Sequence, residues 1–247
     1  MMCALFCAWM ALSGPGVAGA AIPGDESFLR INYPEAVSRY ESALGEHPGQ
    51  PALLWRLARV YVCMGEVAEG EERRHLLAMA EQCARACVAA DSIVVEGHTW
   101  LAGVLGYRAL EEGASEQIRL SQELVREANQ AIRLNANEDA AYSILGSFYR
   151  ALGGVGWLKR SVASLFLGSI PEGGYAEAEA ALRRAVAIAP GIMRHQYELG
   201  ILYIDMGREE EARQALEAAG RLPVKTAIDR PRLEKIHELL SRLTSPQ

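Results

Sequence analysis

Apolar residues recur along most of the chain at helical spacing, and the alternating pattern of strands is scarce. One local pattern occurs three times: a leucine, a small residue directly after it, and a tyrosine four positions after the leucine. The copies are Leu57-Ala58-x-x-Tyr61, Leu145-Gly146-x-x-Tyr149 and Leu199-Gly200-x-x-Tyr203. Four positions beyond the tyrosines lie Gly65, Gly153 and Gly207, and a glycine can end a helix in a left-handed conformation. The pattern predicts helices that end in tight turns.

Small residues in the following segments predict the partner helix of each hairpin. The alanines at the predicted packing position are Ala43, Ala86, Ala131, Ala185 and Ala219, and prolines that forbid continuation of the helix follow at Pro48, Pro190 and Pro223. The last two alanines are 34 residues apart, which is the period of the tetratricopeptide (TPR) repeat. The chain therefore resembles TPR proteins, and this implies an all-α, right-handed solenoid of stacked helical hairpins.

Three of the predicted hairpins exceed the standard unit, by 9, 10 and 20 residues between their helices. We expect the first two insertions, Glu66 to Glu72 and Glu111 to Glu116, to lengthen the helices. The third, Gly154 to Gly174, has apolar residues at helical spacing, which predicts a short extra helix lying on the solenoid. A leucine stripe over residues 229–243 predicts a C-terminal capping helix that covers the last hairpin.

The N-terminus has the features of an export signal. An apolar run from Met1 to Leu12 precedes Ala18-Gly19-Ala20, a small-x-small cleavage pattern, although no lysine or arginine precedes the run. Residues 1–20 are thus predicted to be a cleaved signal peptide of a periplasmic protein from a Gram-negative bacterium. An N-terminal membrane anchor is the alternative. Residues 21–247 are predicted to form one TPR-like domain with units at about 25–50, 51–93, 94–138, 139–192 and 193–226, and a cap at 228–244.

The composition and the absence of known catalytic motifs limit the functions that the sequence predicts. The 247 residues are 50% hydrophobic and carry a net charge of −6, so a general nucleic-acid footprint is not expected. The five histidines are scattered, and no HExxH, GxSxG or P-loop motif occurs. Without residues 1–20, Cys63, Cys83 and Cys87 remain, and buried packing is favoured for them over a disulfide or metal role. The sequence therefore predicts a protein that is not an enzyme and has neither cofactor nor metal.

Solenoid curvature predicts a concave binding groove lined by the first helix of each hairpin. We count positions from the pattern leucine and take those two residues before and after it, together with the positions one turn later. The candidate groove residues at these positions are Trp55, Arg59, Ser143, Ser147, Arg150, Tyr197, Ile201 and Ile204, and His98, three residues before Leu101, is a further candidate. Such a lining suits an amphipathic helix, or an acyl chain with an acidic head. Alternatively, Trp55 and Tyr197 pack against neighbouring hairpins.

The third insertion contains a second candidate cluster, formed by Trp157, Lys159 and Arg160. The tryptophan could anchor the insertion in the groove while the two cations meet an anionic ligand. The alternative is that Trp157 fills the core and the charges are solvated.

From about Glu96 to Leu243 the chain resembles the TPR domain of the regulator of microtubule dynamics family. The resemblance rests on His98-x-Trp100, Ala131-Ile-x-Leu134-Asn135, Leu145-Gly146-x-Phe148-Tyr149, Trp157-Leu-Lys-Arg160-x-x-Ala163, Glu177-Ala178, and Leu222-Pro223 followed by Asp229. It implies an all-helical binding protein. Eukaryotic members are associated with microtubules and organelle contacts, and the corresponding domain with phospholipid binding and transfer.

This chain departs from those members in three features. It has the predicted export signal in place of a membrane anchor, it lacks a phenylalanine-and-acid tether motif, and Asn135-Ala136-Asn137 lacks the expected proline. The leading hypothesis is a scaffold that binds a protein or peptide partner in the groove. The alternatives are phospholipid or fatty-acid carriage in the solenoid channel and, with less support, microtubule association.

Overall fold

The structure is a computed structural model that describes residues 22–154 and 171–244. These residues form eleven helices and no strand, which confirms the all-α prediction. The helices are α1 (Asp25–Leu29), α2 (Tyr33–Glu46), α3 (Pro51–Gly65), α4 (Gly70–Ala90), α5 (Val95–Ala109), α6 (Ala114–Leu134), α7 (Asp139–Gly153), α8 (Tyr175–Ile188), α9 (Met193–Asp205), α10 (Glu209–Gly220) and α11 (Asp229–Thr244).

Four antiparallel hairpins make up the solenoid: α3 with α4, α5 with α6, α7 with α8, and α9 with α10. The small residues of the repeat pattern bring the paired helices close together. A Cβ atom placed on Gly146 would lie 2.5 Å from Leu182 Cγ, and one on Gly200 would lie 2.7 Å from Leu216 Cγ. Both leucines are fully buried, so the helices nest only because these two positions lack a side chain.

The first two insertions lengthen the second helix of their hairpins, as predicted. Helices α4 and α6 each have 21 residues, against 14 in α8 and 12 in α10. The predicted helix of the third insertion falls on residues 155–170, with Trp157, Lys159 and Arg160, and lies outside the described residues. The predicted signal peptide lies outside them as well.

Two details of the predicted register are wrong. Ala86 is exposed, and the neighbouring Cys87 is fully buried at the packing position. A Cβ atom on Gly97, in the next helix, would lie only 2.9 Å from the Cys87 sulfur. Of the turn glycines, only Gly207 is left-handed, with φ +71°. At Gly153 the reason for a glycine is space, because a Cβ atom there would lie 2.2 Å from the Tyr175 ring.

The two ends of the solenoid approach each other. Tyr33, at the start of α2, accepts a hydrogen bond from the backbone N–H of Ala227, in the loop before α11, over 3.0 Å. The predicted capping helix is present as α11, and Ile236 and Leu239 are buried in one cluster with Leu216 of α10. The loop before α11 thus reaches back to the start of α2, and α11 covers the last hairpin.

Candidate functional site

A cavity of about 710 Å³ opens on the concave side between α5, α6 and α7. Two features of the sequence create it. Gly103 and Gly106 leave the facing side of α5 without side chains, and the lengthened α6 extends its first turns along this space. The walls are mainly apolar and include Leu110, Ile118, Leu124, Ile144 and Phe148. Leu110, at the end of α5, is 72% exposed, so the apolar lining continues onto the surface.

Charged residues from α3, α7 and α9 meet at one end of the cavity. Arg150 places Nη1 2.8 Å from Asp205 Oδ2, and its Nη2 lies 3.7 Å from Glu198 Oε2. Arg194 Nη1 is 4.0 Å from Glu66 Oε1. Of these five residues, Arg150, Arg194 and Glu198 line the cavity, so its polar end is formed by two guanidinium groups and one carboxylate.

Arg194 stays protonated at this depth. Burial works against its charge, but Tyr107, Glu66 and Glu198 outweigh that effect and raise its pKa above the ordinary arginine value. Tyr107 donates a hydrogen bond to Glu66, and burial is the main cause that raises the tyrosine pKa. Arginine and tyrosine therefore both act as fixed hydrogen-bond donors here.

Three polar atoms at this end are buried without a hydrogen-bond partner. They are Arg150 Nε, Arg194 Nε and Glu198 Oε2, two donors and one acceptor. A buried polar group without a partner costs about 1–3 kcal/mol. The side chains of Arg150, Arg194 and Glu198, at this end of the cavity, thus each have one polar atom whose hydrogen bonding is incomplete.

The structure distributes the predicted groove residues over four environments: the N-terminal end, the interior, the C-terminal end and the cavity. At the N-terminal end, Arg59 lies over the rings of Phe28 and Trp55, with its guanidinium carbon 3.7 Å and 5.0 Å from the ring centroids. Helix α1 thus covers this part of the surface. His98 is buried: its Nδ1 lies 2.6 Å from Glu127 Oε2, and its Nε2 lies 2.9 Å from a backbone oxygen.

At the C-terminal end, Tyr197, Ile201 and Ile204 pack against the cluster that α11 completes. Ser143 is buried within α7. Only Ser147 and Arg150, of the nine candidates, line the cavity. The ligand-binding role of all nine stays a prediction.

Sequence reasoning missed Arg194 and Glu198, which lie five and one positions before the pattern leucine of α9. The offsets considered did not include those positions. A signal for the cavity was nevertheless present in α5, where Leu101-Ala102-x-x-Leu105 lacks the tyrosine of the other copies and is followed by Gly106. A missing large residue in one repeat indicates missing volume at that point of the stack.

Two other kinds of site are absent from the described parts of the chain. No helix within residues 22–154 or 171–244 combines the length and apolarity that a membrane span needs. Over the same ranges, no group of three or more histidine, cysteine, aspartate or glutamate residues is arranged to hold a metal ion.

Comparison with known proteins assigns the chain to a family. Residues 27–244 match the family described as regulator of microtubule dynamics protein 1-3. The chain belongs to this family. The chain is distant in sequence from two members of the family. Regulator of microtubule dynamics protein 3 of Xenopus laevis is 29% identical to it over 189 residues, and regulator of microtubule dynamics protein 2 of Mus musculus is 24% identical over 192 residues.

The alignments cover 76% and 77% of this chain but only 41% and 47% of those relatives, so the chain spans less than half of their length. Among solved structures, a thermophilic TPR protein of Thermus thermophilus aligns over 87% of this chain and 95% of its own, with a TM-score of 0.65 and 21% identity. This likeness confirms the TPR-like fold of this member of the regulator of microtubule dynamics family.

Proposed function

We propose that the chain is a non-catalytic binding protein whose cavity receives the apolar side chains of a peptide segment from a protein partner. The observation that carries the proposal is the mainly apolar cavity with the polar side chains of Arg150, Arg194 and Glu198 at one end. A peptide group offers one carbonyl acceptor and one N–H donor. An extended segment could therefore place apolar side chains in the cavity and its peptide groups against these three side chains.

The rim of the cavity also suits a macromolecular partner. Leu110 is exposed beside the opening, and a protein partner would cover it, whereas a small ligand inside the cavity would leave it in water. Binding energy in protein interfaces concentrates in a few apolar anchors that fill pockets.

A second candidate is a phospholipid or fatty acid. The mainly apolar walls and the volume of about 710 Å³ favour it, because ligand pockets of about 300–1,000 Å³ are typical for small molecules. The two guanidinium groups of the lining, Arg150 and Arg194, could pair with an anionic headgroup beside the single carboxylate of Glu198.

The names of the relatives refer to microtubule dynamics, and microtubule association is a less supported proposal for this chain. Export is likewise a proposal, supported by the cleavage pattern at Ala18-Gly19-Ala20. Detection of a mature N-terminus at Ala21 in the native cell would support export and remove tubulin as a partner.

Site-specific photocrosslinking tests the leading proposal. A photoreactive amino acid replaces Gln117, which lines the cavity, and, in a matched control, Ser42 on the exposed face of α2. Crosslinking in the native cell, followed by peptide sequencing, should recover one defined segment from the Gln117 position that the Ser42 position does not recover. The same segments at both positions, or none from Gln117, would contradict the proposal.

Lipid extraction of the gently purified protein provides the second arm. Stoichiometric phospholipid or fatty acid that is lost when Ser121, in the cavity wall, is replaced by tryptophan would favour the second candidate. A preparation without lipid that also takes up none from phospholipid vesicles would exclude it.

A further inference from the structure

A separate site lies at the N-terminal end of the solenoid, where helix α1 packs against α2 and α3. Helix α1 has five residues, and Asp25 and Phe28 are on one face of it because they are three positions apart. Both side chains contact Arg59 of α3. We define the α1 seat as the surface formed by Tyr40, Trp55, Arg56 and Arg59.

The seat recognises a carboxylate and an aromatic ring together. Asp25 Oδ1 accepts hydrogen bonds from Tyr40 Oη over 2.6 Å and from Arg56 Nε over 2.8 Å. The Arg59 guanidinium carbon lies 3.7 Å from the centroid of the Phe28 ring, which is a close cation–π contact. Phe28 is only 7% exposed.

The carboxylate contributes as an anion. Burial alone would raise the pKa of Asp25, but hydrogen bonds from Arg56 and Tyr40 outweigh that effect and lower it below the ordinary value.

Three features show that α1 fits this seat imperfectly. The segment after α1 passes through Ile31 at φ 60°, a conformation that a β-branched residue rarely adopts. Ser27 Oγ and Arg59 Nε are both buried without a hydrogen-bond partner. A five-residue helix also gains little stability from its own hydrogen bonds. A segment that relieves the backbone strain and accepts a bond from Arg59 Nε would bind more tightly than α1 does.

We propose that the α1 seat is a binding site for an acidic–aromatic peptide segment of a partner protein, with a carboxylate three residues before the ring, and that α1 occupies it when no partner is bound. This site is independent of the cavity between α5, α6 and α7. The chain could use either site for binding without using the other.

Tethering explains why α1 holds the seat in spite of its imperfect fit. A short flexible linker gives a tethered segment an effective concentration of the order of mM. A free peptide with the α1 sequence should therefore bind poorly to the wild-type chain, and well only when α1 has been weakened.

The test uses a labelled peptide of residues 22–32 as the probe and fluorescence anisotropy as the readout. The receptor is the double variant Asp25→Asn, Phe28→Ala, which removes both anchors from the tethered helix. We expect saturable binding at least tenfold tighter than to the wild-type chain. A peptide carrying Glu26→Gln, a change at an exposed position, should bind equally, and one carrying Phe28→Ala should not bind. Arg56→Gln, added to the receptor, should abolish binding.

A receptor variant that keeps wild-type helicity by circular dichroism and shows no saturable binding would overturn the proposal. Binding that the Phe28→Ala peptide reproduces would do the same. If the double variant unfolds, hydrogen exchange of the wild-type chain tests instead whether α1 leaves the seat. Amide protection in residues 25–29 far below that around Tyr40 supports an exchangeable helix, and equal protection overturns it.

Light scattering of the wild-type chain tests whether the α1 seat binds a second copy of the chain instead of a partner protein. A concentration-dependent dimer that the Phe28→Ala substitution abolishes would assign the seat to a second copy of the chain and overturn the assignment to a partner protein. A monomer at all concentrations supports the assignment.

Discussion

Single residues set how closely the helices of this solenoid approach. Gly200 faces Leu216 across the α9–α10 hairpin, and a Cβ atom there would meet a side-chain carbon at 2.7 Å and the leucine backbone nitrogen at 3.4 Å. Because Leu216 is fully buried, it has no free space to move into. The glycine is therefore required by packing, although its backbone is helical.

We predict that Gly200→Ala destabilises the protein by about 1–3 kcal/mol, the usual cost of overpacking. Gly45→Ala is the matched control, because Gly45 lies in α2 with no atom within 4 Å of the added carbon. The control should be neutral or more stable by up to about 1 kcal/mol. Urea unfolding followed by circular dichroism measures both, and equal effects would contradict the nesting.

Burial of single residues also determines the reactivity of the three cysteines. Burial raises the pKa of the Cys63 thiol to about 12, and those of Cys83 and Cys87 to about 11. We predict that Cys63 reacts with iodoacetamide at pH 8 at least a hundredfold more slowly in the folded chain than in urea. Mass spectrometry of the peptide containing Cys63 reports the rate, and labelling at the rate of the unfolded chain would contradict its burial.

Between helices, a network of ion pairs joins α4 to α6. Glu123 of α6 accepts two hydrogen bonds from Arg85 of α4, at 2.7 Å and 3.1 Å, and Arg119 and Arg126 each lie 3.3 Å from it. The hydrogen bonds from Arg85 are the main cause that lowers the pKa of Glu123 below its ordinary value. The folded state thus favours the ionised carboxylate.

The lowered pKa of Glu123 determines how the stability of the protein changes with pH. A carboxylate whose pKa is lowered by folding stabilises the protein above its unfolded pKa, and the contribution is lost as the pH falls through the folded value. We predict that Glu123→Gln costs about 1–3 kcal/mol at pH 7, because the arginines lose a charged acceptor. The difference should shrink at an acidic pH well below the ordinary glutamate pKa, because wild-type Glu123 then becomes protonated. Urea unfolding at both pH values measures it, and a constant difference would contradict the role assigned to the charge.

Over the whole molecule, the ends of the solenoid meet across the concave side. Arg194, in α9, lies near Glu66 at the end of α3, and Tyr33 contacts Ala227. These contacts join segments far apart in sequence. The contact between Arg194 and Glu66 lies beside the cavity between α5, α6 and α7, because Arg194 also lines that cavity.

The sequence predicts the hairpins and the cap because each depends on a local pattern, such as Leu199-Gly200-x-x-Tyr203. Closure depends instead on the rotation between successive hairpins, which no local pattern contains. Trp55 and Tyr197 follow the repeat rule, yet Trp55 stacks with Arg56 and Arg59 of its own helix, and Tyr197 packs against the cluster that α11 completes. Arg194 reaches the cavity because of the rotation between hairpins.

Calorimetry on the cavity tests the account most directly. The partner segment identified from the Gln117 crosslink is titrated into the wild-type chain, into Ser121→Trp, which fills the cavity, and into Ser42→Trp, which changes an exposed position of α2. The account predicts equal binding to wild type and Ser42→Trp, and at least tenfold weaker binding to Ser121→Trp. A folded Ser121→Trp variant that binds the segment as tightly as wild type would contradict it.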